Sequence, residues 1–252
     1  MDKLRISTIT ALSKFDTNID LKLLFDNVGI DDTIKFAQWG LENCKGFNNK
    51  QKIRSRTSQK KKNVFYNQVT FHYYLKKIIN VKIFNNGKIH MTGLKNIESG
   101  KKVIDGLKNI IKKMNKNTTD DIIDNKDFNA LEYKILLINS DFMIDYKIDR
   151  NMLHRHIINM DMFSSYEPLI YPGVNIKYFY NRDYTDGICK CSCNCNGKGN
   201  SLGNGNCKRI TIAVFMSGSI IITGANNTDQ LLEAYNFIND LMIQNKQKFI
   251  LK

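Results

Sequence analysis

One eleven-residue pattern occurs twice in this chain, and a repeat of that kind limits the fold to two copies of one unit. Ile83-Phe-Asn-Asn-Gly-Lys-Ile-His-Met-Thr-Gly93 returns as Val214-Phe-Met-Ser-Gly-Ser-Ile-Ile-Ile-Thr-Gly224. Phe84, Gly87, Ile89, Thr92 and Gly93 are matched by Phe215, Gly218, Ile220, Thr223 and Gly224 without a gap. Each copy reads as strand, Gly-containing turn, strand, which is a β-hairpin. Each is followed by a long amphipathic helical pattern, roughly 97–115 and 227–245, with apolar stripes at Val103, Leu107, Ile110 and Ile111 and at Leu231, Leu232, Tyr235, Ile238 and Met242.

The rest of the chain falls into the same order twice. A strand near 4–12 and a short helix over 20–28 open the first half; a strand from about Lys134 and a short helix near 149–159 open the second. The spacing predicts a first repeat over 1–115, a linker over 116–131 and a second repeat over 132–252. Two stretches have no counterpart: about 29–63, whose part from Lys45 through Lys62 is polar and basic, and about 181–208, rich in cysteine. Trp39 is expected to anchor the front of the first. The basic part reads as a solvated loop or as an arm along phosphates.

Strand side chains alternate, so one face of each hairpin meets the helices and the other meets something else. Val81, Ile83, Ile89 and Met91 form the core face of the first hairpin, opposite Lys82, Phe84, His90 and Thr92. In the second, Ile212, Val214, Ile220 and Ile222 face the core, opposite Ala213, Phe215, Ile221 and Thr223. Phe84 and Phe215 therefore point away from the helices, on a mixed apolar and Thr surface suited to binding.

The net charge of +14 in 252 residues fits a polyanionic partner, nucleic acid before an acidic membrane, although a Lys-rich soluble protein would share it. No stretch has the roughly 18 apolar residues of a membrane span, and the start of the chain lacks a secretory signal. The expectation is an intracellular protein that is not secreted.

Between the second short helix and the second hairpin runs Phe163-Ser-Ser-Tyr-Glu-Pro-Leu-Ile-Tyr-Pro-Gly173, which holds both prolines of the chain. Its Tyr171-Pro172-Gly173 end is a stiff turn into a strand. This stretch resembles the SSYEPELFPG segment of the TATA-box-binding protein family, and with the duplicated hairpin the resemblance covers both halves apart from the insertions. It resembles in particular the divergent members found in large DNA viruses. The implied fold is α+β: a pseudo-twofold, duplicated saddle with a curved antiparallel β-sheet and helices on its convex face.

The resemblance, rather than the strand pattern, supplies the mechanism: a concave sheet binds the minor groove, inserted aromatics kink the duplex, and initiation factors are recruited. Phe84, Phe215, Tyr171 with Pro172, and Phe65 match the wedge positions. Thr92, Thr223, Ile6 and Ile221 match groove contacts. Lys88, Lys95, Lys177 and Ser217 fall where the family touches phosphates. At groove-facing positions this chain departs from the family: His90, Asn139 and Lys82 stand there, and the paired central Asn residues are matched by Leu4 and Leu137. Glu167, Leu169 and Ile170 fall where the family docks its B-type initiation factor, and the family's second glutamate is Leu169 here.

Five of the six cysteines lie in the second insertion. Cys189, Cys191, Cys193 and Cys195 alternate, and Cys207 follows. In an extended strand neighbouring thiols would sit about 7 Å apart at about 3.3 Å rise per residue, too far for one tetrahedral zinc unless the chain curls. Structural zinc, free thiols and disulfides all stay open on this spacing, and no other cofactor is required.

The resulting expectation is a non-enzymatic transcription initiation factor. Its partners would be double-stranded AT-rich promoter DNA, a B-type initiation factor and RNA polymerase, with no membrane and with a homodimer possible when free. The nucleus, or a viral factory or virion, would be its location. An architectural DNA-bending protein without promoter choice is the alternative. A nucleic-acid enzyme on the same half-domain fold is a weaker one, because the repeats use up the chain.

Overall fold

The computed structural model describes residues 4–47, 67–184 and 186–251. Two compact units emerge: Ile9–Ile135, and Leu136–Lys252 together with Met1–Thr8. They are called the N-terminal and C-terminal halves below.

The N-terminal half runs from the end of β1 (Arg5–Lys14) through α1 (Leu21–Asn27), β2 (Ile34–Trp39), β3 (Asn43–Gly46), β4 (Gln68–Leu75), β5 (Lys77–Phe84) and β6 (Lys88–Leu94) to α2 (Ile97–Asn117). Its strands lie in the order β3-β2-β4-β5-β6-β1, with antiparallel pairing throughout. The C-terminal half contains β7 (Lys134–Met143), α3 (Arg150–Asn159), β8 (Phe163–Ser165), β9 (Val174–Tyr180), β10 (Lys208–Val214), β11 (Ser219–Ala225), α4 (Thr228–Gln244) and α5 (Lys246–Phe249). Here the order is β7-β11-β10-β9-β8, again antiparallel.

The duplication extends to the capping groups. Asp20 caps α1 and Asp149 caps α3, each at φ −72° and each accepting from backbone N–H groups of the first turn. Asn96 and Asn227 do the same for α2 and α4 from extended backbone. A β-bulge recurs at a matching glycine in the two halves. The β1–β6 register slips past Gly93 (φ +95°), and the β7–β11 register slips past Gly224 (φ +104°).

Alternation then decides burial. Val81, Ile83, Ile89 and Met91, and Ile212, Val214, Ile220 and Ile222, are all fully buried. They pack under helices whose buried stripes are Val103, Leu107 and Ile111 in α2 and Leu231, Ile238 and Met242 in α4.

Two sequence expectations change. The stretch over 29–63 does not leave the fold at Gly29, because β2 pairs with β4 and buries Ile34, Phe36 and Ala37. Trp39 ends that strand, half-buried, with its ring 6.4 Å from Phe25. The supposed linker is packed: Ile122 and Phe128 are fully buried, and Phe128 meets Phe15 edge-on at 4.8 Å. β4 and β5 are joined by a tight reversal at Lys76 (φ +60°).

Candidate nucleic-acid interface

Each half presents a sheet face turned away from its helices. In the N-terminal half it is formed by Thr70 and His72 on β4, Asn80, Lys82 and Phe84 on β5, His90 and Thr92 on β6, and Thr10 and Leu12 on β1, all half-buried. In the C-terminal half it is formed by Asn175, Lys177 and Phe179 on β9, Thr211 and Ala213 on β10, Ile221 and Thr223 on β11, and Leu137, Asn139 and Asp141 on β7. Phe215 stands at its rim. These side chains have intermediate accessibility, apart from Ala213 at 5%, whereas their neighbours along each strand are sealed.

The hairpin tips are fixed in the same way in both halves. Gly87 N–H closes on the Phe84 carbonyl and Gly218 N–H on the Phe215 carbonyl, each at 3.0 Å. The segment after the opening strand pins each tip. Phe15 and Ile19 donate to the carbonyls of Gly87 and Asn85, at 2.9 and 2.8 Å. Ile144 and Ile148 donate to those of Gly218 and Met216, at 3.0 and 2.9 Å. A Cβ on Gly87 would lie 2.3 Å from the Phe15 carbonyl oxygen, and one on Gly218 2.6 Å from that of Ile144. Only glycine fits there, and both have positive φ. Phe84 and Phe215 thus stand on rigid supports.

Beside the second tip stands the aromatic turn. Glu167 accepts from the N–H groups of Ile170 and Tyr171, each at 2.9 Å, and Arg150 donates to the Pro172 carbonyl at 2.5 Å while lying over the Tyr166 ring. Tyr171 meets Phe215 edge-on, with ring centroids 5.7 Å apart, and both close around Gly173. Leu169 and Ile170 project into solvent at 102% and 84% exposure.

A family model described as transcription factor TFIID, or TATA-binding protein, matches residues 134–244. A TATA-box-binding protein-like protein of Acanthamoeba polyphaga mimivirus is 31% identical over 251 residues, which is 95% of this chain and 65% of that one. The second repeat thus matches the TATA-binding-protein family, and nearly the whole chain is similar to a divergent viral protein of that kind. It spans 65% of the length of its mimivirus relative. The fold is similar to that of Methanococcus jannaschii TBP, with a TM-score of 0.54 at 18% identity, over 96% of this chain and 99% of that one.

The family's groove positions are brought to the outward faces at Lys82, His90, Thr92, Asn139, Ile221 and Thr223. Lys88 and Lys95 are exposed at the two ends of β6. Ser217 is exposed in the second hairpin turn. Lys177 donates to Thr211 Oγ1 at 3.0 Å, and burial, with Arg209 nearby, lowers its pKa. The His90 pKa is lowered by burial and then by Lys82. Phe65 and the basic residues 48–62 lie outside the described residues.

Leu4 and Leu137 do not form a matched pair. The opening strands correspond at a spacing of 129 positions, as Asp20 and Asp149 do, so the counterpart of Leu137 is Thr8. By the same spacing Asn139 corresponds to Thr10, and Ile6 to Ile135. Leu4 and Leu137 therefore cannot both hold the same position of the repeat.

Sequence reasoning named Asn139 and missed the pair formed by Arg5 on β1 and Asp141 on β7. Asn139 Oδ1 is buried on the outward face with no hydrogen-bond partner. Asp141, on the same face, is paired with Arg5 at 2.6 Å, which screens a carboxylate that would otherwise repel phosphates.

Four cysteines of the second insertion converge, with the sulfurs of Cys189, Cys191, Cys195 and Cys207 all within 4.8 Å of one another. Cys193 is not among them and is exposed.

Proposed function

We propose that this protein binds double-stranded DNA through the minor groove with the outward faces of its two halves, bends it with Phe84, Phe215 and Tyr171, and acts in transcription initiation. The observation that carries the reading is the recurrence of Phe84 and Phe215 on identically braced tips, each beside a face that no described element covers. A minor groove offers an apolar floor and few donors, so it suits Thr, Ile and aromatic side chains with scattered polar groups. Inserted apolar wedges unstack base steps and kink the duplex. The net charge of +14 favours a polyanion.

Asn139 is the candidate for central base reading. Its side-chain Nδ2 can donate to the acceptors on A·T base edges, while the unpartnered buried Oδ1 is left to accept from a donor at the groove. Leu169 and Ile170 form an apolar knob on a rigid turn, suited to a B-type initiation factor and through it to RNA polymerase. Glu167 accepts backbone bonds at the base of that knob. The role is a binding one, without catalysis, exerted wherever cellular or viral DNA is transcribed.

The test is duplex binding combined with a fluorescence bend assay on AT-rich sites. Wild-type protein should bind and bend. Phe215→Ala should keep its circular-dichroism spectrum and lose the bend. Normal bending by a folded Phe215→Ala protein would overturn the reading.

A further inference from the structure

The insertion between β9 and β10 is held together by very little apolar packing. Among the described residues of 181–207, Cys207 is the sole buried apolar side chain; the other buried residues are Asn181, Gly187, Gly197 and Ser201. Such a segment cannot order itself by hydrophobic burial and calls for a cross-link.

Four thiols meet inside it. Cys191 Sγ lies 3.3 Å from Cys207 Sγ, and Cys207 Sγ lies 3.7 Å from Cys189 Sγ; Cys195 completes a group in which every pair is within 4.8 Å. Four sulfurs about 2.3 Å from a tetrahedral zinc are separated by about 3.8 Å. A disulfide needs about 2.05 Å, so the set is too open for paired bridges and of the right size for one metal. The chain curls through Gly187, Gly197 and Gly205, all at positive φ, which turns Cys193 outward. With Cys193 left out as a ligand, Cys191 and Cys195 have three residues between them, within the usual zinc spacing.

Supporting donors are in place as well. Gly205 N–H points at Cys191 Sγ at 3.0 Å and the Asn181 amide at Cys207 Sγ at 3.5 Å, as expected around thiolate ligands. Asn181 sits at the end of β9, and Cys207 precedes β10 directly. Gln230 of α4 holds the buried Ser201 hydroxyl at 2.9 Å, which ties the insertion to the helix layer.

We propose that Cys189, Cys191, Cys195 and Cys207 bind one Zn²⁺ in a structural site that staples the insertion to the ends of β9 and β10. The ligands bind as thiolates, so loading releases protons, and the metal's binding energy becomes folding energy of the insertion.

The experiment uses the full chain. Elemental analysis of protein purified under reducing conditions should give one zinc per chain, and Co²⁺ exchanged for it should show tetrahedral d–d and thiolate charge-transfer absorption. Alkylation of loaded protein should modify Cys193 and Cys44 quickly and the four ligands only after chelation. Cys191→Ser and Cys207→Ser should lose the metal; Cys193→Ser should retain it. Should Cys207→Ser fail to fold, the alkylation pattern of wild-type protein still decides. Chain free of zinc that takes up no cobalt would overturn the proposal. So would equal alkylation of all six thiols, or disulfides recovered from protein handled under reductant.

Discussion

The two halves share one scaffold and differ in what they put on it. On the outward face of the first hairpin stand Lys82 and His90; at the matching positions of the second stand Ala213 and Ile221. The second half adds Tyr171 against Phe215, whereas the residue placed by resemblance beside Phe84, Phe65, lies outside the described residues. The strand joints differ too. Lys76 alone turns β4 into β5, while residues 181–207 join β9 to β10. Duplication preserves what holds the sheet, namely caps, bulges and braced tips, and leaves the outward faces free to diverge. Lys82 and His90 mark the first hairpin, and small or aliphatic residues with a paired aromatic wedge mark the second.

The largest effects are expected from the wedges. Phe215→Ala should cost about 2–3 kcal/mol of binding, since unstacking a step costs a few kcal/mol and only an inserted ring offsets it. Because Tyr171 touches Phe215, the double variant should cost less than the sum of the singles by at least about 0.5 kcal/mol. Phe84→Ala should add to Phe215→Ala. Titration of the three pairs measures this, and strict additivity of Tyr171→Ala with Phe215→Ala would break the asymmetry.

The bulge glycines come next. Alanine at either carries the strain of positive φ, about 1 kcal/mol. At Gly224 the new Cβ would also lie 2.9 Å from the Arg209 carbonyl, against 3.5 Å to the nearest atom at Gly93. Gly224→Ala should therefore unfold at lower urea than Gly93→Ala, and the reverse order would contradict the packing described.

Much of this was legible beforehand, for reasons that particular residues make plain. Alternation in Val81–Met91 and Ile212–Ile222 is strict, with every second residue sealed, so the faces could be read directly. The long helices announced themselves through their apolar stripes. What could not be read depends on pairing over distance. β2 hides in an insertion because its counterpart β8 has only three residues. The supposed linker carries the Ile122–Ile123 pair and Phe128 among polar residues, so its burial leaves no periodic trace. Leu4 was paired with Leu137 because nothing near the chain start marks strand phase. Cys193 resembles its neighbours in sequence and separates from them only through the curl of the loop.

Smaller effects should distinguish the first face. Lys82→Ala should make the log–log salt dependence of DNA binding shallower by about 0.9 if that ammonium neutralises one phosphate, whereas an unchanged slope would place it off the DNA. The smallest effect is that of His90. Its pKa in the folded protein lies below the unfolded value of about 6.5, so below that pH the unfolded chain takes up the proton first. Stability should be unaffected by His90 well above that pH and decline as pH falls through it; His90→Gln should flatten that part of the curve in urea titrations.

The central claim is that these faces read the minor groove, and base substitution addresses it directly. An inosine–cytosine pair presents the minor groove of A·T and the major groove of G·C, because it lacks the guanine amino group. A duplex in which every A·T pair of a bound site is replaced by inosine–cytosine should bind within a few-fold of the original, while guanine–cytosine replacement should weaken binding by about 1–3 kcal/mol per central position. Loss of binding to the inosine duplex equal to the loss with guanine would show that the protein reads the major groove, and would contradict the account.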